Sequence, residues 1–192
     1  MIDSLDQLYE AFQTLVSAAS GVDENRVILA NQGTPVPQPE NDLYATYNPI
    51  PIKAYGFPRT SLKEVDAVQD FNETLLGPNW QDLEATTIRQ LDMMVSCNFI
   101  NGGAREASWQ IHAANHRLPI NEILYFNKIG WRFASEIRDL TGVTQAGVQP
   151  RYQVDLNLYV ETEITDEILS AAGFKVNIED KQGNTLANWS SL

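Results

Sequence analysis

The sequence predicts an α+β fold: a mostly antiparallel sheet with helices packed on one face, plus a small C-terminal α/β-hairpin extension. Two alternating segments and one amphipathic segment carry that expectation. From Tyr152 to Thr162, Tyr152, Val154, Leu156, Leu158 and Val160 face one way, and Gln153, Asp155, Asn157, Tyr159 and Glu161 the other. A period of two belongs to a strand with one apolar and one polar face. From Arg89 to Asn101, Leu91, Met93, Val95, Cys97 and Phe99 alternate with Gln90, Asp92, Ser96 and Asn98, Met94 being the exception. Such half-buried strands are typical of antiparallel sheets covered on one side. Near the N-terminus, Leu5, Leu8, Phe12, Leu15 and Val16 recur at helical spacing. Ser4 and Gln7 form a capping box before them, and Gly21 stands where a C-terminal glycine belongs.

The remaining elements follow in order. A short strand is expected at Arg26–Ala30, then a proline-rich loop at Asn31–Asn41. Leu43–Tyr47 starts a strand that Pro49 and Pro51 deprive of two donors, so it must be an edge or an irregular strand. Lys53–Leu83 holds Gly56, Pro58, Gly77 and Pro78 and is expected to be an extended excursion, with a helical turn near Ser61–Asn72. Gly102-Gly103 turns the chain into a helix to about Leu118. Pro119 breaks it, a second helix runs to Lys128 or Ile129, and Gly130 closes that one. Trp131–Arg138 is expected as a strand with Trp131, Phe133 and Ile137 on one face, and Asp139–Pro150 as a loop. After the Tyr152–Thr162 strand come a short helix at Asp166–Ala172, acidic in its first turn, and a hairpin of Phe174–Glu179 with Thr185–Trp189. The expected organisation is a core domain over 1–163 and an extension over 164–192 packed on it, with no internal repeat.

Composition narrows the function classes. A chain of 192 residues suits one domain with an appendage, and 43% apolar residues supply a core, which argues against global disorder. No run approaches the roughly 20 apolar residues that a spanning helix needs. The start, MIDSLDQLYEAF, lacks the basic segment of a signal peptide. The single cysteine, Cys97, allows no intramolecular disulfide, and synthesis in the cytosol is expected. There are 25 acids against 13 bases, for a net charge of −12, and the bases are scattered along the chain. No basic stripe for gripping nucleic acid is visible. Solubility accounts for the acidity most simply; a surface that DNA slides past without sticking is the sharper reading.

The residues offer little chemistry. His112 and His116 stand at i and i+4, the spacing of zinc-binding helices, but no Glu lies between them as a base and no third ligand is near in sequence. No metal or other cofactor is therefore assigned. Cys97 sits on the apolar side of its strand, as a buried structural thiol does. Gly102-Gly103 is a strand-to-helix turn rather than a phosphate loop, and Glu161 and Glu163 fall on a solvated strand face. No nucleophile, phosphate or dinucleotide motif occurs, so no catalytic residue is named and no enzyme is expected. The helix after Gly103 is more informative. Ala104, Ala107, Ile111, Ala114 and Leu118 form a small apolar stripe. Arg105, Trp109, His112 and His116 lie opposite, and these four are the candidate subunit-interface residues, because Trp and Arg are favoured at protein interfaces. An isolated surface aromatic is the plainer alternative.

Four stretches resemble the neck or tail terminator proteins of long-tailed phages, the family that caps the tail tube. They are Val27-Ile-Leu-Ala-Asn-Gln-Gly-Thr-Pro-Val-Pro, Met94-Val-Ser-Cys-Asn-Phe-Ile-Asn-Gly-Gly-Ala-Arg-Glu-Ala, Gly130-Trp to Arg138-Asp-Leu, and Pro150-Arg-Tyr-Gln-Val-Asp-Leu-Asn-Leu-Tyr-Val. Their order and spacing span roughly residues 1–163. The long Lys53–Leu83 excursion and the Ile164–Leu192 extension depart from that pattern. The resemblance implies a structural virion protein of the head–tail neck, assembled in the host cytoplasm. It implies a ring, usually a hexamer, that binds the last tube ring, stops its growth and offers a surface to the head connector. The implied partners are further copies of the chain, the tail tube protein, the head–tail connector protein and the sheath. DNA passes through the lumen without specific binding, and no membrane is involved. The alternatives are a head-completion or connector protein on the portal side, a metal-dependent enzyme built on His112 and His116, and a soluble binding module for another partner.

Overall fold

Helix α1 spans Leu5–Ser20 and is closed at both ends by local chemistry. The Ser4 hydroxyl accepts from the Gln7 amide at 3.3 Å. Gly21 takes a left-handed φ of 75° and its amide donates to the Ser17 carbonyl at 2.9 Å. The helix buries Leu8, Phe12, Leu15 and Val16, whereas Leu5, expected in the same stripe, is 67% exposed. It stands on the helix's first turn, before the first buried residue, Leu8.

The computed structural model describes residues 4–31, 42–66, 81–144, 147–168, 175–179 and 185–190. The chain divides into two compact units: Met1–Pro58 with Ile88–Glu163, and Arg59–Thr87 with Ile164–Leu192. Strands β1 (Val27–Leu29), β2 (Tyr44–Asp66), β3 (Gln81–Ile100), β4 (Ile129–Ala134), β5 (Arg138–Asp139) and β8 (Arg151–Ile168) form one sheet in the order β1-β2-β3-β8-β4, with β5 also on β8. The sheet is mostly antiparallel, as expected, with β1 and β2 parallel. The expected loop at Asp139–Pro150 instead contains a small antiparallel pair, β6 (Gly142–Thr144) and β7 (Gly147–Gln149).

In the first unit the two alternating segments behave as read. Met93, Val95, Cys97 and Phe99 of β3, with Val154, Leu156, Leu158 and Val160 of β8, are buried in one cluster with the α1 residues. The prolines of β2 are explained by its neighbours. Ala30 donates to the Tyr47 carbonyl at 2.8 Å, so the backbone groups of Tyr47 point towards β1. Backbone groups alternate from side to side along a strand, so the nitrogens of Pro49 and Pro51 point the same way. β1 reaches only as far as Tyr47, and no further strand lies there among the described residues. The missing donors therefore remove no ladder bond.

The helical pair departs from the expectation. Helix α2 spans Ala104–His112, a turn of 3-10 helix covers Ala114–His116, and α3 spans Leu118–Phe126. Pro119 lies in the first turn of α3, where its missing donor is harmless; it starts the second helix rather than only ending the first. The 3-10 turn alters the rotation, so Leu118 leaves the apolar stripe and is 78% exposed, while Ala104, Ala107, Ile111 and Ala114 stay buried. Arg117 donates to the Ala18 and Ala19 carbonyls at 3.2 and 3.1 Å, satisfying the end of α1. Gly130 does not close α3. The helix ends at Phe126, Lys128 takes the left-handed turn at φ 54°, and Gly130 already sits in β4 opposite Tyr159.

The expected Trp131–Arg138 strand is two pieces, β4 and β5. A register shift between Trp131 and Phe133 pairs Trp131 with Leu158 and Phe133 with Asn157. Trp131 therefore packs on the core while Phe133 faces the polar side, 48% exposed.

The second unit carries β9 (Lys175–Glu179) and β10 (Thr185–Ser190), paired antiparallel, so the hairpin strands are where the turn residues placed them. The expected helices nearby are corrected as far as they are described. Ser61–Asp66 is strand paired to β3, and Asp166–Ile168 continues β8 past the β-branched Thr162, Ile164 and Thr165. Residues 67–72 and 169–172, like the loop residues 32–41, lie outside the described residues.

Candidate functional site

The four candidate residues occupy the side of the α2 segment away from the core. Arg105, Trp109 and His112 follow one another at i, i+4 and i+7 on α2, and His116 ends the 3-10 turn; all are exposed, Trp109 to 71%. The small apolar stripe opposite them packs against α1 and the sheet. Arg105 also acts on Asp139, whose carboxyl is held below its usual range first by the Thr141 hydroxyl and amide and, more weakly, by this guanidinium. His112 and His116 are joined by no third ligand, and no group of three His, Cys, Asp or Glu suited to a metal occurs among the described residues.

Cys97 is fully buried, and burial, followed by the field of Asp155, raises its thiol far above the ordinary range. A thiolate is the reactive form, so native protein at pH 8 is expected to resist iodoacetamide while urea-unfolded protein is labelled fully. Mass spectrometry of both samples checks this; rapid labelling of the native protein would place the thiol at the surface.

Composition alone did not reveal how the polar face of the sheet is organised. Three arginines each meet a polar partner on a central strand there. Arg132 meets Asp92 at 3.2 Å, Arg138 meets Asp155 at 3.5 Å, and Arg151 donates to the Asn98 side-chain oxygen at 3.0 Å. Between them, Ser96 donates to Asp155 at 2.7 Å, and Gln153 donates to Ser96 at 2.9 Å and to Asp155 at 3.0 Å. Asp92, Ser96 and Asp155 are buried, and Asp92 Oδ1 has no hydrogen-bond partner among the described residues. The only sequence signal was the polar half of the two alternations; the arginines come from β4, β5 and β8 and form no linear motif. Because each arginine is engaged by a carboxylate or an amide, this row holds a local structure rather than a free cationic track for phosphate.

A cleft of about 520 Å³ opens where α3 gives way to β4. Tyr55, Tyr125 and Tyr159 line it together with Lys128, Gly130 and Glu161. The Tyr55 and Tyr159 rings lie 5.6 Å apart, the Lys128 ammonium is 5.1 Å from the Tyr125 ring centre, and the Arg132 guanidinium is 5.5 Å from that of Tyr159. Aromatic walls beside Lys128 and Glu161, with Arg132 already paired to Asp92, suit an aromatic side chain with polar flanks. They provide no arranged nucleophile and base.

Among the described residues no helix is long and apolar enough to cross a membrane. No curated protein matches the sequence. The model of the phage neck terminator proteins matches residues 6–184, and the chain belongs to that family, a structural component of the phage virion at its neck.

Proposed function

We propose that the chain forms a homo-oligomeric ring, a hexamer, that caps the tail tube at the neck, ends its polymerisation and joins the tail to the head connector. The match to the neck terminator family over residues 6–184 carries this reading. The exposed α2 face supports it. A tryptophan left 71% exposed on a helix whose other side is fully packed calls for a partner, and Arg105, His112 and His116 beside it form the proposed contact with the neighbouring copy. Ring closure needs two different patches per subunit, and the α2 face is one of them. The exposed run of β2, with Phe57 fully exposed and Ile52 at 51%, is the proposed contact to the tube protein or the connector, with the sheath as a further neighbour. DNA passes the lumen without specific binding, in keeping with a net charge of −12.

Electron microscopy of lysates from a phage lacking the gene tests this. Overlong, headless tails beside DNA-filled heads are expected. Tails of normal length beside unjoined or leaking heads would instead assign the protein to the portal side, as a head-completion or connector protein.

A further inference from the structure

We propose that the cleft at the α3–β4 corner receives Trp109 of a second copy of this chain. The inference rests on the ring reading and names the patch that the α2 face meets.

Shape provides the first argument. The cleft measures about 520 Å³ and is walled by the rings of Tyr55, Tyr125 and Tyr159. That volume falls in the range of about 300–1,000 Å³ in which concave sites enclose compact ligands, and one indole fits within it. Gly130 keeps it open. It stands directly opposite Tyr159 on β4, and a Cβ added there would already lie 3.5 Å from the Tyr159 Cβ. A longer side chain at this position would fill the space beside the ring.

Charge provides the second. Arg105 lies one turn before Trp109 on one side of it, and Glu106 lies at i−3 on the other. The cleft carries Lys128 and Glu161, whose backbones are joined by the Glu161 amide donating to the Lys128 carbonyl at 3.2 Å. Arg132, 5.5 Å from the Tyr159 ring, is already paired with Asp92, so each surface offers one cation and one anion for pairing beside its aromatic centre. Arg105 can face Glu161 while Glu106 faces Lys128; the opposite alignment sets like charges together, so the pairing also fixes orientation.

Topology provides the third. No residue of α2 lines the cleft, so knob and cleft are different patches of one molecule. Their contact is head-to-tail, the kind that propagates and closes as a ring. Phe57 is more exposed than Trp109, but it stands two residues from Tyr55 in the cleft's own wall. A contact through Phe57 would use the same patch on both copies and would stop at a dimer.

The test places the photo-crosslinker p-benzoylphenylalanine at position 109 in phage particles and maps the products by mass spectrometry. Crosslinks from 109 to a peptide containing Tyr125–Gly130 or Tyr159–Glu161 of another copy are expected, with a ladder of covalent multimers. The additional change Gly130→Leu should lower their yield about tenfold, the loss expected when one anchor pocket is filled. Crosslinks from 109 to any other part of a second copy, to a different protein, or to nothing would overturn the proposal. Failure of the ring reading shows separately, as tails of normal length without the gene.

Discussion

Phe12→Ala should lower the free energy of unfolding by about 3–5 kcal/mol. Phe12 is fully buried in α1, within the cluster that joins that helix to Val95 and Phe99 of β3 and to Leu156 and Leu158 of β8. Deleting the ring removes apolar surface from the core and leaves a void that a helix held at both ends closes poorly. Ser4 and Gly21 fix those ends, and Arg117 ties the last turn to the α2–α3 segment. Domains of this kind hold about 5–15 kcal/mol in total, so the variant should lie close to unfolding at 37 °C. Urea unfolding followed by circular dichroism measures the change. A loss below about 1 kcal/mol would mean that the site collapses around the cavity.

The second large effect belongs to the polar side of the sheet. Arg132→Met should destabilise the protein by about 2–3 kcal/mol at pH 7, less than for a fully enclosed pair because Arg132 is itself 46% exposed. Asp92 is 3% exposed; Arg132 pairs with its Oδ2, while Oδ1 has no hydrogen-bond partner among the described residues. Arg132 also lies over the Tyr159 and Phe133 rings, and without it the buried carboxylate loses the countercharge held on its Oδ2. The double variant Asp92→Leu/Arg132→Met removes both charges and should recover most of the loss. The two unfolding curves decide the point: a double variant no more stable than the single one would show that Arg132 acts by packing on the rings and not by neutralising Asp92.

What the sequence disclosed and what it hid differ in physical kind. Strands β3 and β8 are legible because side chains alternate with a period of two and one face meets a helical layer, so the apolar half of each alternation marks that face, although Asp92, Ser96 and Asp155 of the other half are buried too. The α2 face was legible for the same reason at a period of 3.6, and Trp109 stood out because an indole opposite a packed alanine stripe has nowhere inside to go. Phe133 leaves the expected face because the register shifts between Trp131 and Phe133, and no residue type announces such a bulge. Gly130 suggests a helix end because glycine favours left-handed turns, yet the turn falls on Lys128, which adopts it at φ 54°. Ser61–Asp66 and Asp166–Ile168 looked helical from local polarity, while pairing across the sheet decides their conformation. The cleft was invisible for a different reason. Its residues come from β2, β3, α3, β4 and β8, and only the sheet order brings them to one corner.

The placement of Pro49 and Pro51 bears on how long a free copy survives. On the proposed reading the subunit acts once, at the end of a finished tube, and would have to persist until that end exists. An uncovered strand border invites any other extended chain to add on, and such additions grow into insoluble deposits. With two of its amide donors replaced by proline rings, the β2 border offers an interrupted template, which lowers the tendency of extended chains to add there.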